Sequence, residues 1–200
     1  MKTIVSISGT SRPGNYTFFA LDVVNERFRE DGAEVTTFDA RELSLNFPGQ
    51  PATTDAKRLR DAIAAADTVV IASPEYHGTF AAMTKLIIEN LGFPSALEGK
   101  PMSLLGVASG RIGAIKTLEQ LRGVCAHVGA IVLPGAVSVA GIRQAFDEEG
   151  NCRDEDVKAM LHSLADNTLS YIDQYICPRQ ILEAQIRKTE DSDEPWATTL

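Results

Sequence analysis

The chain has 200 residues, 44% of them hydrophobic and 23% charged, with 15 Gly and 9 Pro. That is one globular domain with at most a short appendage: too apolar for a disordered chain, and long enough to bury about 70% of its unfolded surface without a disulfide or metal staple. Nineteen Lys and Arg against 27 Asp and Glu leave a charge of −8, which repels phosphate backbones and anionic lipid and excludes nucleic acid and membrane surfaces as first partners.

Met1-Lys2 runs directly into a strand-like segment, so no signal peptide is expected. Cys125, Cys152 and Cys177 are scattered, which suits reduced thiols and a cytoplasmic location. Residues 3–7 (TIVSI) are a β-branched run ending at Gly9, the pattern of a strand covered on both faces. From Asn15, the residues Phe18, Leu21, Val24 and Phe28 recur at spacings of three and four and predict a helix closed by Gly32. Residues 33–38 read as a second strand, 41–54 as loop, 55–66 as an Ala-rich helix and 68–72 (TVVIA) as a third strand. A helix over 80–91, a strand over 102–107, a long helix striped by Ile112, Ile115, Leu118, Cys125 and Val128, and a strand over 130–133 follow. Val157, Met160, Leu164 and Tyr171 mark a last helix. Beyond Cys177-Pro178 the chain turns polar, so one domain is expected over residues 1–177 and a C-terminal tail over 178–200. The tail is expected to be helical to Arg187 and loose thereafter, with Trp196 in its disordered end.

Five alternations of strand and helix predict an α/β fold, a doubly wound five-stranded parallel sheet with helices on both faces. For the strand order 2-1-3-4-5, ligands sit where the order reverses, between the first and third strands. The loops flanking that crevice are residues 8–15 (SGTSRPGN) and 73–79 (SPEYHGT), the two most specialised in the chain. The first carries hydroxyls at Ser8, Thr10, Ser11 and Thr17, the Asn15 amide and the Arg12 guanidinium, with a helix starting immediately after. One N-cap needs one such residue; five converging donors at a helix start suit a phosphate monoester. The dinucleotide pattern G-x-G-x-x-G is broken at Ser11, no P-loop lysine is present, and Asp39 is read as capping a turn rather than holding a ribose. In the second loop Pro74 fixes the turn, Tyr76 offers a flat ring and Gly78 allows close approach, which suits a planar heterocycle. A third loop, residues 108–113, brings more glycine to the far edge.

With these three loops in order, the chain resembles the NADPH-dependent FMN reductase family of flavodoxin-like proteins over residues 2–175. The resemblance implies a flavodoxin-like fold, FMN as cofactor, and NADPH or NADH as hydride donor. It implies a small-molecule acceptor (free flavin, quinone, azo compound or metal oxyanion) and a homodimer or homotetramer. The cofactor contacts it implies in the first loop are Thr10, Arg12, Asn15 and Thr17 at the phosphate, with Gly9, Ser11 and Tyr16 beside them. Pro74, Glu75, Tyr76, His77 and Gly78 would cradle the isoalloxazine, and Ser109, Gly110, Arg111 and Gly113 would close its other side. His77 and Ala114 depart from the family, where Asn and Gly are frequent. No side chain is assigned a proton-transfer role: Glu75 is expected to brace its own loop, and Arg111 either meets the 2′-phosphate of NADPH or lies idle on the surface.

Other chemistries fail on spacing. A low-molecular-weight phosphatase needs C-x5-R, but the sixth residues after Cys125 and Cys152 are Ile131 and Lys158. Neither C-x-x-C nor H-E-x-x-H occurs, so no metal site is expected. The non-enzyme alternatives are a flavodoxin-type electron carrier without its own NAD(P)H turnover and a flavin-binding sensor module.

Overall fold

The computed structural model describes residues 1–191, the side chains from 187 onward excepted. The three apolar runs at the centre become β1 (Thr3–Ser8), β3 (Thr68–Tyr76) and β5 (Pro101–Val107). Neighbouring residues on these strands point into different cores. Ile4, Val70, Ala72 and Leu105 enter one, with Leu21, Val24 and Phe28; Val5, Ile7, Ile71 and Leu104 enter the other, with Leu59, Ile63 and Ile87. Two buried faces explain why the strands lack polar alternation.

The remaining strands are β2 (Glu34–Asp39), β4 (Thr79–Phe80), β6 (Ile131–Val132) and β7 (Val137–Val139). The main path is β2-β1-β3-β5-β6, parallel throughout, with β7 also parallel to β5 and β4 antiparallel to β3. This is the flavodoxin-like order 2-1-3-4-5, with one correction. The fifth strand, expected over 130–133, is split: β6 pairs with Pro101 and Met102, and β7 with Leu105 to Val107. Pro134, which cannot donate to the ladder, and Gly135 at φ +83° separate the pieces.

The helices are α1 (Tyr16–Glu30), α2 (Thr54–Ala65), α3 (Ala82–Glu89), α4 (Ile115–His127), α5 (Ile142–Ala145), α6 (Glu155–Tyr171) and α7 (Cys177–Asp191). Thr53 and Asp154 cap α2 and α6 as acceptors. Three expectations are corrected. Phe80 lies in β4, not at the head of a helix. Ile112 and Ile115 are 82% and 49% exposed, and α4 buries Thr117, Leu121 and Cys125 instead. Finally, α6 continues through a π-turn (Ile172–Ile176) into α7, so the chain stays helical past Arg187 to Asp191. Gln180 ties this extension to the body by donating to Asp67 at 2.6 Å. Trp196 lies outside the described residues, among which no helix is long and apolar enough to cross a membrane.

Candidate active site

A cavity of about 580 Å³ opens at the carboxyl ends of β1, β3, β5 and β7, over the reversal of strand order. Its first wall is the β1–α1 loop, with Arg12, Asn15 and Tyr16 facing it. Asn15 is the α1 N-cap: its Oδ1 accepts from Phe18 N–H at 2.8 Å while its Nδ2 donates to the Arg12 carbonyl at 3.0 Å. The hydroxyls expected here, Ser11 excepted, are drawn inward. Thr10 is buried, accepts from Arg12 N–H at 3.3 Å and lies 3.3 Å from the Tyr76 hydroxyl. Thr17 is buried, and Ser11 is exposed off the cavity. Gly9 is a packing position: an added Cβ would meet Thr84 Oγ1 at 2.2 Å and the Ala72 carbonyl at 2.9 Å. Of the seven cofactor residues expected from this loop, Gly9, Thr10, Ser11 and Thr17 therefore do not line the cavity.

All five residues expected on the second wall line it. They are not a loop but the end of β3 turning into β4, with Glu75 opposite Phe80 and Tyr76 opposite Thr79. His77 (φ 52°) and Gly78 (φ 78°) form the two-residue turn, and two successive positive φ values match the twist of a hairpin. Conformation is thus what requires glycine at 78; an added Cβ there would meet only the Lys116 side chain, at 3.6 Å. Glu75 reaches beyond its own loop, where it was expected to act. Its Oε2 accepts from Thr117 N–H at 3.2 Å, at the start of α4, where the N-cap residue Ala114 has no acceptor side chain to offer. Gln120 of α4 completes the link, donating to the Gly78 carbonyl at 3.0 Å and accepting from Thr79 Oγ1 at 2.7 Å.

The third wall holds the expected Ser109, Gly110, Arg111 and Gly113, together with Ile112. It is joined to the segment after β7: Ala108 N–H donates to the Val139 carbonyl (2.9 Å), Ile142 N–H to that of Ala108 (3.0 Å) and Gly141 N–H to that of Gly110 (3.1 Å). Ser138 Oγ accepts from Ala114 N–H at 2.8 Å. Gly113, at φ +79°, brings the loop so close to Ser138 that a Cβ would sit 2.5 Å from its Oγ. This join adds Ile142 and Arg143 to the cavity, two residues the sequence reading missed. The available signal was Val137-Ser138-Val139 before Gly141, a short strand and glycine like those preceding α1.

The pairing of the arginines separates this cleft from the rest of the surface. Arg27, Arg29, Arg41, Arg58, Arg153 and Arg179 each pair with a carboxylate, and Arg60 and Arg122 donate to backbone carbonyls. Asp39 closes its own turn by accepting from Arg41, as expected, and that bond raises the pKa of Arg41. The three arginines whose guanidiniums have neither a side-chain nor a backbone partner among the described residues, Arg12, Arg111 and Arg143, all line the cavity.

The chain is similar to an NADPH azoreductase of Bacillus sp. strain OY1-2, 29% identical over 88% of this chain and 94% of that one. It is also similar to an NAD(P)H-dependent FMN reductase of Pseudomonas aeruginosa, 27% identical over 79% and 88%. Its fold superposes on a flavoenzyme NAD(P)H:(acceptor) oxidoreductase of Paracoccus denitrificans with a TM-score of 0.74, at 23% identity over 88% of this chain and 99% of that one. The family model described as NADPH-dependent FMN reductase matches residues 2–144, which span β1 to the cavity-lining Arg143. The chain therefore belongs to the NADPH-dependent FMN reductase family, enzymes whose cofactors are FMN and NAD(P)H.

Proposed function

We propose that this enzyme holds FMN across the cleft, reduces it with NADPH or NADH, and delivers the electrons to a small acceptor: free flavin, a quinone, an azo compound or a metal oxyanion. The observation that carries this reading is a 580 Å³ cavity on the strand-order reversal, with a free guanidinium and a helix start at one end and close backbone walls at the other. The residues fit the cofactor. A phosphate monoester needs N–H donors and positive charge, and the α1 N-terminus and Arg12 offer both. A planar ring needs two walls of low relief, which residues 74–78 and 109–113 supply.

FMN, when bound, would supply the hydride and electron chemistry. The chain's own work is to hold and orient. Asn15 and Thr10 set the phosphate loop, so Arg12 and backbone N–H groups, rather than five side chains, grip the phosphate. Glu75 and Gln120 fix the hairpin's spacing from α4, and Gly113 with Ser138 fixes the opposite wall. Residues 1–177 form the FMN-binding unit, with α7 as an appendage. Self-association as a dimer or tetramer is supported by the exposed Phe47, Ile112 and Ile115 around the cleft, and a cytoplasmic setting by three free cysteines.

The test is to purify the protein, record its visible spectrum, and follow NADPH and NADH oxidation with each acceptor. A colourless protein that takes up no FMN overturns the reading. A yellow protein that oxidises no NAD(P)H with any acceptor assigns it to the electron carriers or sensors. Sedimentation giving monomer alone removes the oligomer.

A further inference from the structure

Arg12 and Arg143 cannot serve one anion economically. Arg12 follows β1, whereas Arg143 follows β7, three strand positions away across β3 and β5. At 4.7–4.9 Å per position the strands that lead to them lie about 14 Å apart, so a phosphate gripped by Arg12 at the α1 start leaves Arg143 free. Arg111 and Arg143 belong instead to a single wall, because Gly141 N–H and Ile142 N–H bond the carbonyls of Gly110 and Ala108. In a chain of net charge −8, whose other described arginines apart from Arg12 are all engaged, two unpaired guanidiniums carried on one side of the cleft are available to a ligand.

We propose that Arg143, with Arg111, forms an oxyanion subsite for the second ligand of the cleft, the one that approaches the cofactor. This rests on the FMN reading above. The subsite takes a phosphate of the hydride donor or a sulfonate or carboxylate on the acceptor, and it sets a preference for anionic acceptors over neutral ones of the same shape. Bidentate bonds from planar guanidinium supply the selectivity, and an uncharged acceptor cannot form them.

The experiment uses the FMN-loaded protein and its Arg143→Ala, Arg143→Lys and Arg111→Ala variants. Binding is read from perturbation of the flavin spectrum by redox-inert naphthalene-2-sulfonate, naphthalene-2-carboxamide, NADP⁺ and NAD⁺. Turnover is compared between a sulfonated and an unsulfonated naphthoquinone. Arg143→Ala is expected to weaken naphthalene-2-sulfonate about tenfold and the carboxamide by less than about twofold, with Arg143→Lys between. The kcat/KM ratio of sulfonated to neutral quinone falls in parallel. A loss confined to NADP⁺ supports the subsite, assigns its anion to the donor and overturns the acceptor preference; a loss confined to the sulfonate supports both and assigns the anion to the acceptor. Unchanged affinity for both anions in Arg143→Ala and Arg111→Ala overturns the subsite and leaves the FMN reading standing. A wild-type protein that takes up no FMN overturns both.

Discussion

The turn after β1 has no room for a side chain at residue 9, and Gly9→Ala measures how tightly the cofactor loop is locked to α3. An added Cβ would lie 2.2 Å from Thr84 Oγ1, 3.1 Å from Thr84 Cβ and 2.9 Å from the Ala72 carbonyl. Gly9 is fixed on both sides, its N–H donating to the Ala72 carbonyl at 2.8 Å and its own carbonyl accepting from Thr84 Oγ1 at 2.7 Å. Relief must therefore come from moving Thr84, which breaks a buried hydrogen bond. Overpacking of this kind costs about 1–3 kcal/mol, and the stranded acceptor adds about 1–3 kcal/mol. Gly9→Ala is expected to lose about 2–6 kcal/mol of unfolding free energy in urea titrations of the FMN-free protein, where ligand linkage does not enter. Thr84→Ala alone should lose about 1–3 kcal/mol through the same bond. The double variant removes the 2.2 Å clash and keeps the carbonyl contact at 2.9 Å and the contact with the residue 84 Cβ at 3.1 Å. Its loss should fall below the sum of the singles by at least about 1 kcal/mol. A Gly9→Ala protein as stable as wild type, or strictly additive losses, would show that Thr84 does not hold the loop.

Arg12→Ala should weaken FMN binding by about 1.5–3 kcal/mol, or ten- to a hundredfold, in fluorescence titrations; an unchanged affinity removes Arg12 from the phosphate. Gly78→Val forces a β-branched residue to φ 78°, so the hairpin should lose about 1–3 kcal/mol and flavin uptake with it, and a yellow mutant of normal stability contradicts this. Burial pushes the Cys125 thiol up to about 12, so it should resist Ellman's reagent at neutral pH until denaturant is added; reaction in the native protein as fast as that of Cys177 would be inconsistent with its burial. The Asn151 side chain, followed by its backbone N–H and Arg153, holds the Asp147 carboxyl at about 2. Because the folded value lies below the unfolded one of about 3.9, the stabilisation is complete above pH 4 and fades as pH falls towards 2. A carbon-13 titration with an ordinary carboxylate midpoint would refute it.

The central strands were legible because a parallel strand buried on both faces leaves an unbroken apolar run, as in β1 and β3. The fifth strand was not, since Pro134-Gly135 resembles a terminator and β7 resumes only beyond it. That miss cost the site Arg143. Ile112 and Ile115 were misread for a different reason: helical spacing counts apolar residues but does not say whether a face meets the sheet or the mouth of a cleft. The hairpin was hidden because His77, at φ 52°, occupies a region that few residues other than glycine adopt, and composition carries no mark of it.

The inward turn of Thr10 and Thr17, expected among the phosphate donors, has a single physical origin. Residue type reports that a side chain can bond, not which partner it finds. The cleft walls are largely exposed, so burial contributes little to their order, and side-chain hydrogen bonds anchored on strands and helices must supply it. Asn15 closes the first loop, the Thr10 hydroxyl lies 3.3 Å from that of Tyr76 on the hairpin, Glu75 and Gln120 join the hairpin to α4, and Ser138 joins α4 to β7. Every one of these polar groups is consumed in construction. The arginines are left over because the walls stand without them, and a guanidinium free of structural duty keeps its full capacity for an arriving anion. Bracing and binding are thus divided between residue types, hydroxyls, amides and one carboxylate for the first, guanidiniums and backbone N–H groups for the second. Partners in the structure, rather than polarity in the sequence, tell the two apart.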